Sequence, residues 1–121
     1  MNFLAVFIGG GLGSVVRYLF GLLFQRSTLA LPLSTLFANI SASVIFVIAI
    51  NYFSEKLETP NSLKVLVLTG ICGGLSTFST FSYETSTLIK QGNMAWAIVN
   101  IILSLILCVG IFFMFHPKTQ A

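Results

Sequence analysis

Aspartate is absent from this chain, histidine occurs once, and negative charge rests on three glutamates alone, Glu55, Glu58 and Glu84. Six basic residues, Arg17, Arg26, Lys56, Lys64, Lys90 and Lys118, bring the net charge to +3 and the charged fraction to 7%. Soluble domains carry about 25% charged residues, so nine charges cannot cover a water-soluble globule of 121 residues. The shortage also excludes a disordered chain and a nucleic-acid binder with a basic stripe. Catalysis has little to work with: there is no Ser-His-Asp set, no Cys-His pair and no paired carboxylates, and the chain does not read as an enzyme. Cys72 and Cys108 both lie in apolar runs, which argues against a disulfide framework or a cysteine-rich metal site. The start, Met1-Asn2-Phe3, lacks the basic head and small-residue cleavage site of a signal peptide, so the first apolar segment reads as a retained helix.

What the chain has is apolar surface, 56% of its residues. It reads as an integral membrane protein. A spanning helix needs roughly 20 apolar residues, so the length holds at most four. Four segments emerge, over about 2–24, 31–53, 62–89 and 94–115, and together they predict a single four-helix transmembrane domain over 1–121. Pro32 suits the first turn of the second helix. The loop from Ser54 to Asn61 and the turn Lys90-Gln91-Gly92-Asn93 separate the later segments, and the last stops at His116-Pro117. Trp96, Tyr52 and Tyr83 fall near expected span ends, where aromatic residues anchor in the interface.

The third segment differs from the others. From Gly70 to Ser82 it reads Gly-Ile-Cys-Gly-Gly-Leu-Ser-Thr-Phe-Ser-Thr-Phe-Ser, and five of the seven residues from Ser76 to Ser82 bear hydroxyls. Glycine and hydroxyl side chains weaken a helix. The composition favours a broken helix over a continuous one packed through small residues. Lipid tolerates such a break only where protein or a water-filled cavity covers it.

Lys and Arg normally collect on the cytoplasmic side. With four spans, one side carries Lys56, Lys64 and Lys118, the other Arg26, Lys90 and, if it reaches outward, Arg17. That is no bias, and it predicts insertion both ways up; orientation set by another feature, such as hydrophobic length, is the alternative.

Polar groups inside spans are expensive and mark function by default. Gly9, Gly13, Arg17 and Gly21 recur every four residues, a face that admits close approach of another backbone. Arg17 is expected to point into protein or a water-filled vestibule. Thr35, Asn39 and Ser43 form a second stripe, and Asn100, Ser104 and Cys108 a third. With the hydroxyl-rich break they suggest a hydrated path, interhelical hydrogen bonding being the other reading. The lining groups are amides, hydroxyls and a thiol, donors suited to an anion, with no carboxylate before Glu84; cation pathways usually want acidic rings. Phe78 and Phe81 sit within the polar run, where positive ring edges can meet a small anion.

These residues carry a resemblance. The run Gly70 to Ser82 followed by Glu84, the run Gly9-Gly10-Gly11-Leu12-Gly13 before Arg17-Tyr18, and Pro32 with Thr35-Leu36 and Asn39 are similar to the Fluc (CrcB) fluoride channels of bacteria over essentially the whole chain. The resemblance implies a multi-pass protein of the bacterial cytoplasmic membrane: an antiparallel, dual-topology dimer of four-helix chains, with two fluoride pores along its interface. It implies passive, fluoride-selective export. It also implies a structural sodium ion held between the broken third helices by the backbone carbonyls of Gly73 and Ser76. Phe78 and Phe81 would meet fluoride edge-on, Asn39 would be the pore asparagine, and Ser79 and Ser82 would offer hydroxyls. The fourth-helix track would fall on Asn100, Ser104 and Cys108, with Arg17 by a vestibule and Glu84 next to the pore.

Two positions depart from the family pattern: Ser34 stands where glycine is usual before Thr35, and Cys108 ends the track with a weaker donor than a hydroxyl. Some members pair two similar chains as heterodimers; the absence of charge bias favours one chain inserted both ways. The main rival, a small proton-coupled multidrug exporter, relies on a glutamate in its first helix, and the first span here has no acidic residue. In a third class, a non-transporting membrane assembly protein, the stripes would be packing contacts.

Overall fold

The computed structural model describes residues 1–56 and 58–115. His116, Pro117 and Lys118, used above for a helix end and the charge count, lie outside the described residues. All regular structure among the described residues is helical: α1 (Asn2–Leu23), α2 (Leu33–Glu55), α3 (Asn61–Lys64), a π-helical segment (Val65–Ile71), α4 (Cys72–Leu75), α5 (Phe78–Lys90) and α6 (Met94–Met114). Among the described residues, four stretches are long and apolar enough to cross a membrane: α1, α2, the composite run Asn61–Lys90, and α6. At 1.5 Å per residue, the 22 residues of α1 reach about 33 Å, enough for a hydrocarbon core of about 30 Å. Large apolar side chains such as Phe3, Phe7 and Phe113 stand almost fully exposed, which suits lipid and not water.

Local chemistry sets the ends. Pro32 immediately precedes α2, and its carbonyl accepts the first helical bond, from Leu36 N at 3.2 Å. Gly92, at φ +80°, closes α5: its N–H reaches Ile89 O and the Asn93 N–H reaches Leu88 O. A left-handed residue at this position favours glycine.

The third span is bent and broken. Helix α4 stops at Leu75, Ser76 and Thr77 are extended (ψ 154° and 118°), and α5 starts at Phe78 with Thr77 Oγ1 accepting from Thr80 N. Seven residues of π-helix before α4 were not legible in the sequence; such turns are rare and concentrate at functional sites.

The glycine face of α1 meets another backbone closely, as its periodicity suggested, and that backbone is the chain's own. It lies against the first half of the third span within the same chain. A Cβ at Gly70 would sit 2.8 Å from Gly9 Cα, and one at Gly13 would sit 2.7 Å from Leu75 N. Gly21 is outside this contact, its nearest neighbour being the Ser34 hydroxyl. Helix α2 packs against α1, α4, α5 and α6, and the core is Ala38, Ala42 and Leu75, with Phe20 and Ile45 against it.

Candidate functional site

The break frees peptide groups that a continuous helix would pair internally, and two side chains take them. Asn39, one turn after the buried Thr35 on α2, accepts from Thr77 N with Oδ1 at 2.8 Å and donates to Thr77 O with Nδ2 at 3.3 Å. Arg17 of α1 donates from Nε to Gly74 O at 3.0 Å. Two carbonyls stay open: among the described residues, neither Gly73 O nor Ser76 O accepts a hydrogen bond, and both residues lie on the exposed surface of the chain. A hard cation is bound by oxygen donors of this kind, so the chemistry of the two carbonyls fits a sodium ion.

Two cavities flank the break. One, about 270 Å³, is lined by Asn39 and Ser43 of α2, Ser76 and Thr77 of the break, Phe78 and Phe81 of α5, and Ser104, Leu105 and Cys108 of α6. No acidic or basic side chain is on its wall. The Phe78 and Phe81 rings are tilted 40° to each other with centroids 5.7 Å apart, and Phe78 is 77% exposed. Ser104 Oγ is buried and has no hydrogen-bond partner among the described residues, whereas Ser43 Oγ is spent on Asn39 O.

The second cavity, about 560 Å³, holds Ser14, Arg17, Tyr18, Ser34, Thr35, Thr77 and Thr80 on its wall. Arg17 is its only charged side chain. Thr77 belongs to both cavities, and its hydroxyl joins Ser79 Oγ, Thr80 Oγ1 and Thr80 N.

The family model that matches residues 4–115 is CrcB-like protein, Camphor Resistance (CrcB). The chain belongs to the CrcB family. It is 46% identical over 103 residues to the fluoride-specific ion channel FluC of Escherichia coli K12, covering 85% of this chain and 81% of that protein. The proteins of the same name from Escherichia coli O17:K52:H18 and Shigella boydii serotype 18 are each 45% identical over the same share of both chains. Those relatives carry the name of a channel, not of an enzyme.

The remaining residues of this CrcB chain singled out above fall into three groups. Ser79 and Ser82 lie on the exposed face of α5, outside the 270 Å³ cleft, and Ser82 Oγ donates to Phe78 O. Glu84 lies beside Thr35 and not on the wall of the 270 Å³ cleft, with a buried Oε1 that has no hydrogen-bond partner among the described residues. Asn100 is 1% exposed, and its Nδ2 donates to Thr85 Oγ1 at 2.9 Å, tying α6 to α5 away from the cleft wall. Thr85 was not singled out by the sequence, and Thr77, one of five hydroxyl residues among the seven from Ser76 to Ser82, carried no mark of being the hub.

Proposed function

We propose that this CrcB chain is a fluoride-selective channel that passes the ion passively across the bacterial inner membrane. The observation that carries the reading is the cleft beside the break, lined by uncharged donors and two phenylalanine rings, with no carboxylate among the described residues on its wall. A small, strongly hydrated anion entering it must trade water for other donors. Asn39 has a second Nδ2 proton beyond the one given to Thr77 O, the Ser104 hydroxyl is unspent, and Phe78 and Phe81 offer positive edges. Cys108 continues the line with a weaker donor, while Arg17 raises the local anion concentration in the adjoining cavity without entering the cleft.

The assembly belongs to the same proposal. An exposed face bearing open carbonyls at Gly73 and Ser76 and hydroxyls at Ser79 and Ser82 cannot rest against lipid. A second, antiparallel copy covers it, and two clefts then give two pores. A sodium ion held by the Gly73 and Ser76 carbonyls of both copies would supply positive charge that joins the two breaks. Glu84 and Asn100 stand outside the cleft wall, and Asn100 ties α6 to α5 through Thr85. Arg17, Asn39 and Thr77 position the break.

The test is fluoride efflux from liposomes containing the purified chain, with a potassium ionophore to balance charge. The wild-type chain releases fluoride, and Phe81→Ile, which removes a ring edge at similar volume, slows it by about tenfold or more, the cost of some 1.4 kcal/mol at a barrier. Undiminished efflux from Phe81→Ile would count against the rings as fluoride contacts.

A further inference from the structure

We infer that Cys108 is a modification site for small uncharged disulfides and thiosulfonates, and that a group attached there closes the ion cleft. This rests on reading the cleft as the fluoride path. Two observations carry it. The Cys108 side chain is half-buried on the wall of the 270 Å³ cleft. One turn before it, Ser104 is 93% buried, as its 7% exposure gives, it lines the same cleft, and its hydroxyl has no hydrogen-bond partner among the described residues. A buried hydroxyl left unpaired costs free energy, and a polar species admitted to the cleft at this depth would offset that cost.

Residues four apart on a helix stack on one face, and helical side chains lean toward the N-terminal turn. A group attached to Cys108 therefore lies over Ser104. An added S–CH3 replaces the weak S–H donor with a methyl and extends over Ser104 within the cleft that Asn39 and Phe81 also line.

The reaction balances without a further reagent. The Cys108 thiol loses its proton to water, and the thiolate sulfur attacks the sulfenyl sulfur of methyl methanethiosulfonate. A mixed disulfide forms, the sulfur–sulfur bond of the reagent breaks, and methanesulfinate leaves with the electron pair. A symmetrical small disulfide reacts likewise, with a thiolate leaving. The thiolate is the nucleophile. The second thiol, Cys72, is 4% exposed and off this cleft.

The experiment treats the reconstituted channel with methyl methanethiosulfonate and reads both the labelled peptide by mass spectrometry and the fluoride efflux. The expected result is one methylthio group on Cys108, efflux reduced at least about tenfold, and recovery on adding a thiol reductant. Cys72→Ala keeps that sensitivity. In Cys108→Ser the efflux, whatever its own rate, is unchanged by the reagent. Label on Cys72 alone, label on Cys108 only after denaturation, or full labelling of Cys108 with undiminished efflux would each overturn the inference. Absence of efflux from untreated protein would instead overturn the channel reading, and the peptide readout would still decide whether the thiol opens to the cleft.

Discussion

Asn39 holds Thr77 by both ends of its peptide, Oδ1 on the N–H at 2.8 Å and Nδ2 on the carbonyl at 3.3 Å. One primary amide thus does for the break what a neighbouring strand does in a sheet. Asn39→Ala leaves both groups of Thr77 unpaired, at about 1–3 kcal/mol each when buried. Melting of the purified protein in detergent should shift down accordingly, and fluoride efflux should fall. Asn39→Asp keeps the acceptor, loses the donor and adds a negative charge at the cleft. Efflux should fall further than melting, and a variant that conducts normally would show that the clamp does not serve the path.

The glycine contact between α1 and the third span predicts a sharp positional contrast. Gly9→Ala and Gly13→Ala place a Cβ against backbone that cannot move aside. Each should cost about 1–3 kcal/mol by overpacking. Gly11→Ala meets nothing within 4 Å and should be near neutral. Thermal melting of the three variants in one detergent checks the contrast.

Sodium should stabilise the assembled protein. Binding to the folded state alone raises the melting temperature as the ion concentration rises. Wild type should melt higher in sodium than in a large organic cation. Gly73→Pro should abolish that difference, while Ser76→Ala should keep it, since the proposed ligand is main-chain oxygen and the Ser76 hydroxyl is already spent on Cys72 O at 2.8 Å.

Much of this was legible in the sequence, and the gaps have physical causes. Four spans follow from long apolar runs between sparse charges, and the break follows from Gly73-Gly74 ahead of five hydroxyls. Periodicity identified the face of Gly9 and Gly13 but not what fills it, because small residues admit any backbone, and here it is the chain's own third span. Asn100, Ser104 and Cys108 share a stripe, yet Asn100 is turned to Thr85 while Ser104 and Cys108 line the cleft. Spacing gives a face; the neighbouring helix decides which residues on it bond and which meet water.

Orientation offers a test of the antiparallel proposal. Two lysines added after Phe24 should fix one topology and cut efflux, and co-expression with the oppositely fixed variant should restore it. Full activity from a singly oriented population would show that the copies run parallel.

The most direct measurement compares fluoride with chloride in liposomes that hold the purified wild-type chain, with charge balanced by a potassium ionophore. A cleft of amide, hydroxyl and ring-edge donors selective for fluoride releases that ion and leaves chloride trapped. Equal release of both anions, or no release of fluoride, would contradict a fluoride-selective pathway through this chain.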